Sequence, residues 1–79
     1  MDVEKKFKEI VADIFRVNPK KLKSGTRFIE DLNAKSMDVI ALVAATENEF
    51  NIKTSSTETR KNKTVGQTIA YIKKKLKKK

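Results

Sequence analysis

The segment from Ser36 to Phe50 constrains this chain more than any other. On a helical wheel Val39, Leu42, Val43, Thr46 and Phe50 share one side. Met37, Ile40, Ala41 and Ala44 share the other, beside Glu47 and Asn48. A helix apolar on both sides is either enclosed by its own domain or keeps one face for a partner. The chain has 79 residues, and a domain of that size buries only about 60% of its unfolded surface. So small a core cannot enclose one helix all round. The first set is therefore expected to pack inward and the second to stay accessible, since exposed apolar patches mark contact sites. The competing expectation places Ile40 and Ala44 beneath the long segment that precedes the helix.

Two further stripes complete the pattern. Val3, Phe7, Ile10, Val11, Ile14 and Phe15 recur at spacings of three and four, the mark of an amphipathic helix. Asp2 is its expected cap, Glu4 suits its first turn, and Asn18-Pro19 is expected to stop it. Val65, Ile69, Ile72 and Leu76 mark a last helix, with Tyr71 at its edge. It opens on Thr64-Val65-Gly66-Gln67, a capping-box pattern in which Gly66 weakens the first turn by up to about 1 kcal/mol relative to alanine. Residues 17–35 form a long connection with a turn at Ser24-Gly25-Thr26, and Phe28 and Leu32 are expected to pin it to the core. Residues 53–63 contain no aliphatic or aromatic side chain. Ser56 could cap one turn there, through about Arg60, and without an apolar anchor that helix is expected to be short and frayed. The fold class that follows is all-α, a small four-helix bundle of three main helices and a short, weak third one.

Composition removes whole classes of function. There is no cysteine and no histidine, hence no disulfide, no thiolate metal site and no imidazole base. No glycine loop suited to cradling phosphate is present, so no catalytic residue and no metal site is expected. The first residues lack the apolar core of a signal peptide. No apolar run approaches the roughly 20 residues of a membrane span. A soluble, cytoplasmic, monomeric protein is expected.

The net charge of +9 is uneven. Residues 1–32 carry +2, residues 33–50 carry −2, and residues 51–79 carry +9. Six of the last group's lysines lie in 73–79, so the chain divides into a domain over 1–72 and a lysine-rich tail over 73–79. That tail is expected to be a solvated helix end, where cations suit the dipole. A weak attraction to anionic membranes, at most about 1 kcal/mol per lysine, is the second expectation. Phosphate contact to nucleic acid is the third, without base reading, because arginine forks and interleaved aromatics are missing.

Ser36 stands where the polar loop hands over to the apolar helix. Serine before a helix is ordinarily a cap. A hydroxyl there also lies near unpaired N–H groups and the positive end of the dipole, a place that tolerates a phosphate ester. Asp31-Leu32-Asn33-Ala34-Lys35-Ser36-Met37-Asp38 resembles the modification site of acyl carrier proteins, where Asp-Leu-Gly-x-Asp-Ser-Leu opens the second helix. Asp31, Leu32, Ser36 and Asp38 match that pattern, and Met37 is a mild change from leucine. Asn33 replaces glycine, and asparagine is the next-best residue for a left-handed backbone. Lys35 replaces aspartate and reverses the charge beside the serine. The resemblance continues through Glu47-Asn48-Glu49-Phe50-Asn51-Ile52 and Thr64-Val65-Gly66-Gln67.

The resemblance implies that Ser36 carries 4′-phosphopantetheine, transferred from coenzyme A by a separate transferase. It implies an acyl chain as cargo, held as a thioester between the second and third helices, in fatty-acid, polyketide or specialised lipid synthesis. The partners implied are that transferase and acyl-transfer and chain-elongating enzymes. Lys35, Met37, Asp38, Ile40, Ala44 and Glu47 are the expected contact residues. In the family the acid at position 35 supports transferase recognition, so lysine there implies slower loading, another transferase or loss of the arm, or else a new partner for the phosphate. With Ala41 and Asn48 where acids are common, a different or narrower set of enzymes is expected. An aminoacyl or peptidyl carrier would share the fold and the serine. A basic helical module for nucleic acid or anionic membrane is the rival of a different class.

Overall fold

The structure, a computed structural model, describes residues 2–77. Four helices follow one another: α1 Val3–Phe15, α2 Ser36–Phe50, α3 Ser56–Lys61 and α4 Val65–Lys77. A single turn of 3-10 helix, Pro19–Lys21, lies in the first connection. The described residues form no β-strand, in agreement with the all-α class. The last two lysines of the tail lie outside the described residues.

Each main helix buries the stripe its spacing marks. Phe7 and Val11 of α1 and Val65 and Ile72 of α4 are fully buried, and Leu42 and Phe50 of α2 join them. Asp2 caps α1 by accepting the Lys5 N–H at 3.1 Å. The helix ends earlier than the proline argument requires. Arg16 turns left-handed at φ 56°, its N–H bonding to the Ala12 carbonyl, and Val17 donates to the same oxygen at 3.1 Å. Asn18-Pro19 instead opens the 3-10 turn, with the Asn18 side chain accepting from the Lys20 N–H at 2.9 Å.

The long connection is stitched to the start of α4. Val65 N–H donates to the Thr26 carbonyl at 2.9 Å, and Gly66 N–H to the Ser24 carbonyl at 2.9 Å. Phe28 N–H donates to the Lys63 carbonyl at 3.1 Å. The capping box adds Gln67 N–H to Thr64 Oγ1 at 3.1 Å and Thr64 N–H to Gln67 Oε1 at 3.3 Å. The first turn of α4, which has no intrahelical acceptors, is thereby satisfied by the loop and the cap. Phe28 is then held against Phe7, edge to face, with ring centroids 6.3 Å apart. Phe28 is buried and Leu32 packs partly against the core, as expected.

Gly66 has a role that propensity alone does not reveal. A Cβ at this position would lie 2.7 Å from Ser24 Cβ and 2.8 Å from the Ser24 carbonyl oxygen. Glycine lets the loop backbone reach the helix.

The third helix is anchored by polar contacts instead of apolar ones. Its cap is Ser55, one residue before the expected Ser56, and the Ser55 hydroxyl accepts the Glu58 N–H at 3.1 Å. Tyr71 of α4 donates its hydroxyl to Glu58 Oε1 at 3.0 Å, and Lys75 Nζ lies 3.8 Å from the same oxygen. Burial, and then the Glu58 contact, push the Tyr71 phenol up to about 12. The phenol's bond holds Glu58 below the usual carboxylate range. Helix α4 continues through Lys77, and Leu76 packs against the core. Part of the lysine-rich end is therefore structural.

Gly66→Ala is expected to lower stability by about 1–2 kcal/mol, because overpacking against a backbone carbonyl outweighs the gain in helix propensity. Gly25→Ala, with nothing within 4 Å of its Cβ position, should stay within about 0.5 kcal/mol. Urea unfolding of the two variants distinguishes them.

The chain has one tyrosine and no tryptophan, so ultraviolet difference absorbance reports Tyr71 alone. Its midpoint should fall near pH 12 in the folded protein, and near the ordinary value of about 10 in urea. Glu58→Gln should lower the folded midpoint while leaving part of the elevation, since burial is the larger cause. Between those values the unfolded chain loses the proton first, so stability contributed by this group should decline as pH rises through the window.

Candidate functional site

The last turn of the loop sets up the start of α2. Asp31 accepts the Arg27 N–H at 2.8 Å and the Arg27 guanidinium at 3.4 Å. These bonds hold its carboxyl below the usual range, the backbone one most strongly. Ala34 N–H donates to the Phe28 carbonyl at 2.9 Å. Asn33 turns left-handed, φ 55°, the conformation expected where the family carries glycine. The chain then enters α2 at Ser36.

Ser36 is not the cap. It is the first helical residue, and Lys35 takes the cap position. An ammonium side chain has no acceptor to offer the first turn. The reverse half of a capping box is present: Asp38 Oδ2 accepts the Lys35 N–H at 3.0 Å. In α1, α3 and α4 a cap side chain accepts a first-turn N–H; in α2 none does. The N–H groups of Ser36, Met37 and Asp38 therefore find no acceptor among the described residues. The Ser36 side chain is exposed, and its hydroxyl makes no hydrogen bond within the described residues. A free hydroxyl beside three free N–H donors suits an anionic ester.

Around this point Met37 is 82% exposed, Ile40 68% and Ile29 65%. Ala41 and Ala44 are also exposed. Ile40 and Ala44 thus do not lie beneath the long connection, and the outer apolar face of α2 is open. Ile29 belongs to this face although its loop position gave no periodic signal; its neighbour Phe28 turns into the core and leaves it facing out.

The carboxylates of α2 are engaged within the molecule. Asp38 holds the Lys35 N–H. Glu47 is half-buried and accepts the Thr54 N–H at 2.9 Å and the Thr54 hydroxyl at 3.3 Å. Glu49 lies 3.7 Å from Lys6 Nζ. Lys35, Arg60 and Lys63 have no carboxylate within ion-pair distance among the described residues. The surface near Ser36 therefore sets apolar side chains and unpaired cations beside carboxylates that already accept hydrogen bonds.

A groove of about 590 Å³ is lined by Ser36, Ile40, Ala44 and Glu47 of α2 and by Thr59 and Arg60 of α3. It adjoins a second, less open cavity of about 320 Å³ lined by α2, α3, α4 and the loop residues Phe28, Ile29 and Glu30. Ile29, Val39, Val43, Thr54, Thr59 and Arg60 line both. The deeper cavity alone is lined by Phe28, Leu42, Lys63, Tyr71 and Ile72, among others. Sequence reasoning had no means of placing Thr54, Thr59 and Arg60 here, because a polar stretch without periodicity does not reveal which way its side chains face.

Comparisons with known proteins identify the family. The family model described as "Phosphopantetheine attachment site" matches residues 5–72. An acyl carrier protein of Wolinella succinogenes is 45% identical over 65 residues, covering 82% of this chain and 86% of that protein. One of Helicobacter hepaticus is 43% identical over 72 residues, covering 91% of this chain and 95% of the relative. The solved structure of the acyl carrier protein from Enterococcus faecalis matches with a TM-score of 0.82 at 28% identity, covering 94% of each chain. The chain belongs to the acyl carrier protein family, whose domain bears covalently attached 4′-phosphopantetheine.

Proposed function

We propose that Ser36 is the attachment point and that the protein carries acyl chains for fatty-acid, polyketide or specialised lipid synthesis. One observation supports this above the others: among the described helices only α2 lacks a side-chain cap on its first turn, and that turn carries a free hydroxyl beside a groove. When bound, the arm supplies a terminal thiol that holds the acyl group as a thioester. The chain's own residues do the rest. The N–H groups of Ser36, Met37 and Asp38 would hold the phosphodiester charge, aided by the helix dipole. The Lys35 ammonium is near enough in sequence to pair with the same charge. Asp38 steadies the turn through the Lys35 N–H. The groove leads a cargo chain from Ser36 towards the cavity between α2, α3 and α4.

No residue of the site is assigned a catalytic role. The carrier's task is to hold its cargo at high effective concentration beside each enzyme that docks. Met37, Ile40 and Ala44 are the contact residues this reading favours, with Ile29 added to the patch. Glu47, half-buried and bonded to Thr54, serves the fold of the following loop first. The commitment of Lys75 to Glu58 and the packing of Leu76 favour this reading over a basic module for nucleic acid or anionic membrane.

Incubation with coenzyme A and a broad-range phosphopantetheinyl transferase should add the mass of one arm to the intact protein. Ser36→Ala should gain none while keeping its melting temperature. No gain on the parent chain under any transferase overturns the reading.

Lys35 should also set the rate. A transferase that recognises an acidic first turn meets a cation here, and charges at an interface act mainly on encounter. Lys35→Asp is expected to raise the initial loading rate on the order of 10-fold at low salt, with the advantage shrinking as salt screens it. Equal rates for the two proteins would show that position 35 lies outside the docking surface.

A further inference from the structure

The cavity wall is mainly apolar, with a few hydroxyl-bearing side chains set into it. Thr46, Thr54, Thr59, Thr68 and Tyr71 all line it. Each of their hydroxyl protons is already engaged. Thr46 donates to the Leu42 carbonyl at 2.7 Å, and Thr54 to Glu47 at 3.3 Å. Thr59 donates to the Ser55 carbonyl at 2.9 Å, Thr68 to the Thr64 carbonyl at 3.0 Å, and Tyr71 to Glu58 at 3.0 Å. These groups offer a ligand only lone pairs.

The wall's charged groups divide in the same way. Its carboxylates are engaged: Glu30 lies 3.2 Å from Arg27, and Glu47, on the groove side, holds Thr54. Its cations are not. Arg60 stands at the junction of groove and cavity, and Lys63 lines the deeper cavity. Neither has a carboxylate partner among the described residues. A chain entering from Ser36 therefore shares the groove with Val39, Val43 and Arg60, and Lys63 lines the cavity beyond.

We propose that the preferred cargo is an acyl chain ending in a carboxylate, its free end paired with Arg60 and Lys63. Arginine offers a fork that matches a carboxylate, and a charge-assisted bond there is stronger than a neutral one. A methyl-terminated chain would leave both cations unmatched and gain only apolar contact. The inference rests on Ser36 as the attachment point, since it takes the cargo's path from there.

The absence of cysteine from the chain allows a test that needs no transferase. In the full chain, Ser36→Cys can be alkylated with two haloacetamides whose linkers match the pantetheine arm in length. One ends in an adipoyl group and the other in a hexanoyl group, equal in chain length and differing in terminal carboxylate against methyl. The adipoyl conjugate is expected to melt about 2–4 °C higher than the hexanoyl one, the size of shift a partly exposed ion pair produces in a domain this small. The Arg60 Nε–H resonance should move with adipoyl and not with hexanoyl. The melting difference should vanish in an Arg60→Gln, Lys63→Gln background and shrink at high salt. Equal melting of the two conjugates, a higher value for hexanoyl, or a difference that survives the double substitution overturns the proposal. Because alkylation bypasses loading, failure here is separate from failure of Ser36 to accept the arm.

Discussion

Two hydrogen bonds hold the rest of this molecule in register: Val65 N–H to the Thr26 carbonyl and Gly66 N–H to the Ser24 carbonyl. A connection as long as 17–35 has little helical structure of its own and would ordinarily wander. Here its backbone satisfies the first turn of α4, so loop and helix complete each other. The approach is possible because Gly66 has no side chain where the Ser24 carbonyl lies. Once the loop is seated, Phe28 falls against Phe7, and Asp31 closes on Arg27. The chain then enters α2 with Ser36 facing outward. Placement of Ser36 thus depends on a contact some thirty residues downstream in sequence.

That seam explains which features could be read from the residues. The stripes of α1 and α4, the bounds of α2, the Thr64–Gln67 capping box and the left-handed Asn33 are local, set by spacing and backbone preference. They stand in the structure where the pattern puts them. The open face of α2 was also legible, because it follows from a size limit and not from any particular contact. The tertiary approaches were less so. Gly66 reads as a weak helix former until the loop beside it is known. Ser55 and Ser56 are equally good caps until the backbone chooses between them. Tyr71 and Lys75 hold α3 through Glu58, a contact between helices that no window of sequence contains. The same holds for Arg60, whose place on the cavity wall depends on how α3 sits against α2.

The electrostatics of the site illustrate why counting charges misleads. By count, residues 33–50 are acidic. Each of the α2 carboxylates nevertheless has a partner within the molecule, which leaves it fewer lone pairs to offer an approaching surface. Lys35, Arg60 and Lys63 keep their charge available. The open face therefore sets unpaired cations around apolar Met37 and Ile40. Apolar contact at the centre contributes affinity, while the rim governs encounter and choice. The charge reversal at position 35 and the internal engagement of Glu47 work in the same direction.

The position of Ser36 within its helix bears on its chemistry. A serine at the cap uses its oxygen to accept a backbone N–H, which ties down one of its lone pairs. One residue later, at the first helical position, the oxygen is released and the N–H groups remain beside it. Leaving those donors unpaired carries little penalty, because they face water and not a buried interior. Asp38 offsets part of the lost capping by holding the Lys35 N–H, so the turn keeps its shape without a side-chain cap. A helix start arranged this way gives up about 1 kcal/mol of capping, and in exchange presents a hydroxyl and a set of anion-binding donors in one place. The same turn in α4, closed by loop carbonyls and Thr64, could hold no such ester: its donors are already engaged.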